Sequence, residues 1–512
     1  MTAIINSTTL MKNLIEISKI VTKKKVKKIE IFDDHSLKHK GSKFNEFYEA
    51  LMLGKFKNDR DAATYLYTCS PTDDKYRQLK SRFRKRLLNT LFFLDVNLPS
   101  SSGYDRAYFS CNKDWTLVKI LLSNNAPHTA SALARQILTT ALKFKFADVI
   151  VNCARILRKY AADTDNIKDY ETYDQHSKQF QNVLDAEIRS EELYQRVYMN
   201  YHRPHAKTEE LKERIDTYCE ALVGLSEIYD SPIVLYNMYL VWAYRYEMLH
   251  DYQNMLEVCT KAEKYIEDNP RFYQNEKLAT FQLKKMSAYL HLRDWKNGKI
   301  NAEKCLQSFP VGSDTWFDFM EYYLLLALHT DNFLNAIAIY NDATGNNQFK
   351  KLGQLSKEKW KIYNYYLNYL IDSLGEENPI MLAQRTKAFR LQRFLNDPIL
   401  YSKDQRIFTV LVIIVQILFL LQKRSYNAVS ERIDRLKSYA NRQLKKDEYY
   451  RVNQFIRLLQ QLPKADYNPE YLSNVDKYYD RLIETPFRYR GFILELEIIP
   501  YEKLWKMILV RI

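Results

Sequence analysis

The sequence predicts an all-α protein built from repeated pairs of helices, and three observations support this fold class. Glycine and proline are scarce, with 10 and 13 residues in a chain of 512, whereas sheets and loop-rich enzymes need both residues for turns. Apolar residues recur at spacings of three, four and seven, which places them on one face of a helix. A turn that ends in an aromatic residue also recurs, as His250-Asp251-Tyr252, Arg293-Asp294-Trp295 and Asp331-Asn332-Phe333. Recurrence at tens of residues is typical of stacked two-helix units that share a core.

The first hundred residues form two predicted regions. Residues 1–42 hold a short helix, Thr9–Val21, and a strand near Ile29–Phe32 that follows a lysine-rich stretch. Residues 43–100 form a basic helical module with a helix-turn-helix shape, and the loop from Pro99 to Gly103 marks its end. The module has three predicted helices, at Lys43–Leu53, Asp59–Tyr67 and Asp73–Leu94.

The remaining chain is predicted to be a helical-repeat stack over residues 101–462 and a C-terminal cap over residues 463–512. The cap holds a helix near Tyr471–Glu484 and a strand-like stretch at Phe492–Ile498. The longest apolar run, Ile407–Leu421, has fifteen residues, fewer than the ~20 that a membrane-spanning helix needs. We therefore expect this run to be a buried central helix.

The aromatic residue of each turn aligns the repeats and indicates their shared core. Aromatic and apolar side chains of the first helix in each pair are predicted to face inward, together with small side chains of the second helix. Weaker copies centre on Phe146 and Tyr426. The predicted repeat core comprises Tyr239, Trp242, Ala243, Tyr246, Tyr252, Tyr289, Trp295, Leu324, Phe333 and Ala336.

These residues resemble the tetratricopeptide repeat (TPR) family. The resemblance covers residues 126–462 and rests on the aromatic–x₂–apolar–small–x₂–Tyr pattern of Tyr239–Tyr246 and on the small residues of the second helices. Two features depart from the family: Met286 and Leu324 replace the small residue Ala243 in other copies, and the turn aromatics are 43 and 38 residues apart. The resemblance implies an α-solenoid of antiparallel helical hairpins, whose concave face is lined by the first helix of each pair and binds peptides or protein partners.

Several classes of chemistry are excluded by the positions of glycine, cysteine and histidine. No two glycines lie closer than eight residues apart, so the sequence has neither a P-loop nor a dinucleotide-binding fingerprint. The six cysteines are isolated, without a Cys-x-x-Cys pair. His202 and His205 lie close together, but no acidic or cysteine residue beside them completes a metal shell. We therefore expect no catalytic site, no cofactor and no metal.

The positive charge of the chain is concentrated near its N-terminus. The net charge is +15, of which residues 1–100 carry about +9, and such a basic region permits contact with nucleic acid. The predicted helix Asp73–Leu94 has an apolar face of Tyr76, Leu79, Phe83 and Leu87. Its other faces carry seven candidate nucleic-acid contacts, Lys75, Arg77, Lys80, Arg82, Arg84, Lys85 and Arg86.

This basic helix and the helix before it resemble the DNA-reading end of winged-helix regulators that carry helical repeats behind them. A recognition helix likewise combines an apolar back with an arginine-rich front that holds phosphates and bases. The alternative is an ordinary amphipathic helix, with its cations solvated or paired to the acidic stretch Asp163–Glu192.

The favoured function is a non-catalytic scaffold that binds a protein partner along residues 230–345, in the cytoplasm because the N-terminus lacks a signal-peptide pattern. A nucleic-acid-binding regulator that uses the basic helix is the alternative. A third hypothesis comes from Arg245 and His250, whose Arg-x₄-His spacing resembles the HEPN ribonucleases, where the histidine suits proton transfer. Tyr246, between them, belongs to the predicted repeat core, and this favours a structural origin for the spacing.

Overall fold

The chain is helical almost throughout the part that the structure describes. The computed structural model describes residues 14, 42–56, 58–91, 102–201, 208–374, 380, 389–396, 401, 405–444, 449–491 and 496–512. These residues form 21 α-helices and no β-strand, so the prediction of an all-α protein is confirmed. The predicted helix Thr9–Val21 (except Leu14), the predicted strand Ile29–Phe32 and the pair His202 and His205 lie outside the described residues.

Contacts divide the chain into two compact units, Met1–Gln181 and Asn182–Ile512, and the division falls inside helix α7 (Ile167–Tyr201). The earlier described helices of unit 1 are α1 (Lys43–Met52), α2 (Asp59–Tyr67), α3 (Asp74–Thr90), α4 (Gly103–Ser123), α5 (Pro127–Phe144) and α6 (Ala147–Asp163). The helices of unit 2 after α7 are α8 (Thr208–Ile228), α9 (Pro232–Met248), α10 (Tyr252–Asp268), α11 (Asn275–Leu292), α12 (Trp295–Ser308), α13 (Asp314–His329), α14 (Phe333–Gly345), α15 (Gln354–Leu374), α16 (Leu391–Asn396), α17 (Arg406–Gln422), α18 (Tyr426–Gln443), α19 (Tyr450–Leu459), α20 (Val475–Glu484) and α21 (Tyr501–Leu509).

The basic module of unit 1 packs α1, α2 and α3 around an aromatic core. The rings of Phe47 and Phe83 stack with centroids 4.6 Å apart. The Tyr76 hydroxyl donates to the buried carboxylate of Asp59 at 2.6 Å and so joins α3 to α2. The apolar face predicted for the basic helix is confirmed, because Tyr76, Leu79, Phe83 and Leu87 are all buried.

The same turn joins the paired helices of unit 2. A residue with left-handed backbone ends the first helix: His250, Arg293 and Asp331 have φ of 59°, 54° and 61°. The N–H of the next residue then bonds to the carbonyl five positions back, as from Asp251 to Tyr246 at 2.9 Å and from Asp294 to Tyr289 at 3.0 Å. This is a Schellman turn, for which glycine is the usual left-handed residue. The hairpins thus form without glycine, in agreement with its scarcity.

At the weaker copy in unit 1, the predicted alignment is displaced by one residue. Lys145 takes the left-handed conformation there, and Phe146 is the N-cap of α6 rather than its first residue. The residue equivalent to Tyr252 is therefore Ala147. Phe146 is buried nonetheless, and for that reason the hydrophobic pattern alone could not fix the register.

The hairpins of unit 2 stack in chain order, with α11 in contact with α9, α10, α12 and α13. Helix α17 lies inside a hydrophobic core of the unit, because every residue of the predicted run Ile407–Leu421 is buried. The prediction that this run is a buried helix is confirmed. Among the helices described, none is both long and apolar enough to cross a membrane.

Of the predicted repeat core, Ala243, Tyr252, Leu324 and Ala336 are buried. Tyr239, Trp242, Tyr246, Tyr289, Trp295 and Phe333 are half-buried at the edges of the two large cores of unit 2. On α9 the deepest face passes instead through Tyr236, Leu240, Ala243, Tyr244 and Glu247. Because α9 is apolar and aromatic on every side, helical spacing could not select the face that packs most deeply.

Candidate binding site on the first-helix row

The first helices of the hairpins in unit 2, α9, α11 and α13, together with α15, are defined here as the first-helix row. The sequence assigned residues 230–345, which include α9, α11 and α13, to partner binding, and α15 follows that range. The row carries buried charges. Each is accompanied by a specific partner, as burial of an ionised group requires.

Glu321 on α13 is the central acid of the row and is only 5% exposed. Two groups from α15 reach it: the Tyr363 hydroxyl donates to it at 2.9 Å, and the Lys359 ammonium forms an ion pair with it. A third donor, the hydroxyl of Tyr489, comes from far along the chain. Burial, and then the charge of Glu321, raise the pKa of Tyr489 well above its ordinary value, so this hydroxyl stays protonated and donates.

Glu247 on α9 is the second buried acid, and Lys284 on α11 pairs with it at 2.8 Å. Burial favours a raised pKa for Glu247, but Lys284 and the hydroxyl of Tyr201 outweigh it, so its pKa lies below the ordinary value and the carboxylate stays ionised. The Lys284 ammonium also lies 3.7 Å from the ring centroid of Tyr244. These contacts join α9, α11 and the end of α7.

The row is covered by the chain's own C-terminal part. After α20 ends at Glu484, residues Thr485–Gly491 cross the row without forming a helix; we call this segment the strap. The Tyr489 N–H donates to His291 Nε2 at 3.0 Å, and the Phe487 ring lies 5.2 Å and 4.7 Å from the rings of His291 and His329. The Arg490 guanidinium lies 5.1 Å from the ring of Tyr201.

A single arginine holds both ends of this covering. Arg451 on α19 donates to the carbonyls of Leu482 in α20 and of Thr485, the first residue of the strap. Its two other nitrogens donate to Glu497 at 2.9 Å. It also bonds Glu502 on α21 at 2.8 Å. Burial alone would lower the pKa of Arg451, but the two glutamates raise it above its ordinary value.

These contacts explain why the predicted strand Phe492–Ile498 is wrong over its described residues, 496–498. Leu496 and Ile498 are buried in the helical core instead of alternating across a sheet, and Glu497 between them is buried with Arg451. The carbonyl of Glu497 accepts a hydrogen bond from His329 Nε2 at 2.8 Å. The His329 side chain thus bonds the Glu497 carbonyl, a backbone group that in a sheet would bond to a neighbouring strand.

The histidines of the row are held neutral. His291 Nδ1 lies 2.7 Å from the Ser287 carbonyl and must donate to it, so Nε2 is the acceptor for Tyr489. Burial lowers the pKa of His291 to about 4 and that of His329 to about 3. His329 Nδ1 is buried without a partner, so a proton there would be an unpaired buried donor.

Arg245 and His250, the residues of the HEPN-like spacing, take part in separate interactions. Arg245 pairs with Asp216 on α8 and lies 5.2 Å from the ring of Trp242. His250 Nδ1 lies 3.2 Å from the Tyr252 hydroxyl, and burial and then Arg488 lower its pKa to about 4. The neutral imidazole that burial favours at physiological pH can accept a proton but has none to donate as an imidazolium acid.

The candidate nucleic-acid residues of α3 divide into two groups. Lys75, Arg77, Arg82, Arg84 and Lys85 are exposed. Lys80 instead pairs with the buried Asp59 at 2.6 Å, and the half-buried Arg86 lies over the ring of Phe44. In the acidic stretch, Asp174 pairs with Arg158 and Lys178 within unit 1.

Sequence reasoning missed the strap and Arg451. The available signal was Pro486, two residues after the end of α20, followed by aromatic and arginine residues in alternation and by Gly491. Alternation after proline indicates an extended segment. Gly491 has φ of +85°, a left-handed conformation that favours glycine.

No protein-family model, curated protein or solved structure matches this chain. Its function is therefore inferred from the contacts of the first-helix row and of α3.

We expect His329 to make unfolding depend on pH. The unfolded chain protonates this histidine near pH 6.5, whereas the folded protein keeps it neutral down to about pH 3. Its contribution to stability is therefore complete above pH 6.5 and is lost as the pH falls through this window. Between pH 7 and pH 5 the loss is about 2 kcal/mol.

The measurement is denaturant unfolding at both pH values for the wild type and for His329→Gln, which keeps a donor for the Glu497 carbonyl. The variant should lose about 2 kcal/mol less than the wild type over this interval. Replacement of the exposed His128 by Gln is the matched control and should keep the wild-type dependence. Equal losses in wild type and His329→Gln would show that His329 is not held neutral.

Proposed function

We propose that the protein is a non-catalytic scaffold that binds a protein partner on the first-helix row, and that unit 2 is a TPR-like α-solenoid. The observation that supports this proposal best is that the row already holds an extended peptide, the strap of the same chain. The Phe487 ring of the strap lies against the imidazole rings of His291 and His329. The Tyr489 hydroxyl donates to the buried Glu321, and the Tyr489 N–H donates to His291. Such groups give a helical surface both affinity and sequence preference for a peptide.

The TPR-like assignment is supported by the repeated Schellman turns and by the contacts of α11 with the first helices on both sides of it. It also agrees with the small residues buried in the second helices, such as Cys259 and Ala262 of α10 and Ala302 of α12. Small side chains at these positions let neighbouring hairpins approach closely. The half-buried aromatics of α9 extend the surface that is available to a partner.

The scaffold function can be tested by site-specific photo-crosslinking in the native host. A photoreactive residue at Leu292, which is 41% exposed at the end of α11, samples the first-helix row. Ile300 on α12 of the same hairpin is 53% exposed and provides the matched control position on a second helix. We expect one protein to be crosslinked from position 292 and to co-purify in stoichiometric amount, with little crosslinking from position 300. A full-length protein that co-purifies with no stoichiometric partner, or that crosslinks one only from position 300, contradicts the proposal.

A nucleic-acid-binding role for unit 1 is the second candidate function. The observation that favours it is the exposure of five cations along α3, while the apolar side of the helix is buried. Phosphate contacts need exposed lysines and arginines, and each contact adds to the salt dependence of binding. Lys80 and Arg86 do not belong to this set, because they pack within the module.

We expect the triple variant Arg82→Gln, Arg84→Gln, Lys85→Gln to bind a DNA or RNA duplex more weakly. If all three cations contact phosphates, the slope of log affinity against log salt should fall by about 2.7, or roughly 0.9 per contact. The matched control removes three exposed lysines of α12, with Lys296, Lys299 and Lys304 replaced by Gln, and so changes the net charge equally. The nucleic-acid role is rejected if the two triple variants have the same affinity and salt slope.

A further inference from the structure

The strap differs from the rest of unit 2 in conformation and in the pattern of its side chains. It is a non-helical segment among helices and begins with the extended backbone of Thr485. Phe487 and Tyr489 face the row, whereas Pro486 and Arg488 are exposed. Tyr489 is only 1% exposed. Alternation of this kind is how an extended peptide presents every second residue to the surface that binds it.

Three features of the row and one at the end of α7 match successive residues of the strap. The imidazoles of His291 and His329 flank Phe487, and His291 Nε2 accepts the backbone N–H of Tyr489. Glu321 accepts the Tyr489 hydroxyl, which phenylalanine could not supply. The matching features for Arg490 are the ring and the carbonyl of Tyr201, the latter 3.5 Å from a guanidinium nitrogen. Together they define a sequence preference: aromatic, any residue, tyrosine, arginine.

The row keeps its own polar contacts when the strap is taken away. Glu321 retains Lys359 and Tyr363, and Glu247 retains Lys284. No buried carboxylate would therefore be left unpaired, which is the usual reason why removing one partner of a buried pair is so destabilising.

The ends of the strap are fixed independently of its centre. Arg451 binds Thr485 at one end of the strap and Glu497 beyond the other end. Helix α21 is held further by ion pairs of Glu502 with Arg293 and of Lys503 with Asp331. Residues 486–490 can thus leave the row while α20 and α21 stay docked.

We propose that the strap is an internal ligand of the first-helix row, and that a partner binds by inserting an extended segment with the same aromatic–x–tyrosine–arginine pattern in its place. This inference rests on the proposed scaffold function, and it specifies both the partner segment and its regulation. A tethered segment has an effective concentration on the order of millimolar. The strap therefore excludes weak ligands, and only a partner with this pattern and additional contacts displaces it.

The test uses the full-length chain and a fluorescent synthetic peptide with the strap sequence, Thr-Pro-Phe-Arg-Tyr-Arg-Gly. The strap is weakened by the double substitution Tyr489→Phe, Arg490→Gln, and the matched control is Arg488→Gln at an exposed strap position. Fluorescence anisotropy should show at least tenfold tighter peptide binding to the double variant than to the wild type or the control. A peptide with phenylalanine in place of its tyrosine should bind the double variant at least tenfold more weakly. A folded double variant that binds no peptide at millimolar concentration, or a wild type that binds it equally well, overturns the proposal.

Hydrogen exchange of the unmodified protein provides a second measurement that does not depend on a variant's folding. If the strap leaves the row by local opening, the Tyr489 amide should exchange at least a hundredfold faster than the core amides of α17. Exchange of Tyr489 at the rate of α17 means that the strap detaches only on global unfolding, and this overturns the proposal.

The two proposals fail separately. If a partner crosslinks from position 292 but the Tyr489 amide exchanges hydrogen as slowly as the core amides of α17, the scaffold function is supported and the internal ligand is rejected. Peptide binding to the double variant without a crosslinked partner supports the internal ligand and rejects the scaffold function.

Discussion

The carboxylate of Glu321 is the interaction on which the arrangement of unit 2 depends most. A buried ionised acid is tolerated only when donors surround it, and the donors around Glu321 come from α15 and from the strap. They fix α13 against α15 and place the strap across the first-helix row. Arg451 has the complementary role, because this one buried cation binds the carbonyls of Leu482 and Thr485 at the start of the strap and the glutamates that follow it.

Much of the fold could be predicted from the sequence because it depends on local rules. Scarce glycine and proline, together with helical spacing, predicted an all-α chain, and the apolar run Ile407–Leu421 predicted the buried helix α17. The start of α2 at Asp59 and its end at Tyr67 were also predicted correctly. Local composition and capping determine each of these features, and none requires knowledge of distant contacts.

The parts that could not be predicted depend on contacts between residues far apart in sequence. Tyr489 meets Glu321 across 168 residues, and Lys503 meets Asp331 across 172. Nothing in the sequence near Phe492–Ile498 distinguishes a strand from a chain that packs on helices. On α9, aromatic residues lie on every side of the helix, so their spacing did not identify the more deeply buried face. In both cases tertiary packing decided between patterns that are locally equivalent.

The first-helix row differs from the open partner surface that the sequence predicts. The sequence predicts a face that is free to bind another molecule, whereas the structure places the chain's own residues on that face. Its buried carboxylates are paired with Lys284 of α11, with Lys359 and Tyr363 of α15 and with Tyr201 at the end of α7. Tyr489 of the strap adds two donors, its hydroxyl to Glu321 and its N–H to His291. The proposed exchange of the strap for a partner segment rests on this organisation. The exposed cations of α3, the candidate contacts for nucleic acid, belong to unit 1 and not to the row.

A double-mutant cycle between Glu321→Gln and Tyr489→Phe tests most directly whether the strap is seated on the row by this specific contact. The free energy of unfolding of the wild type, both single variants and the double variant gives the coupling between the two side chains. We expect a coupling of about 1.5–3 kcal/mol, the range for a hydrogen bond to a charged group. A coupling within about 0.3 kcal/mol of zero would mean that Tyr489 and Glu321 act independently, and would contradict this expectation.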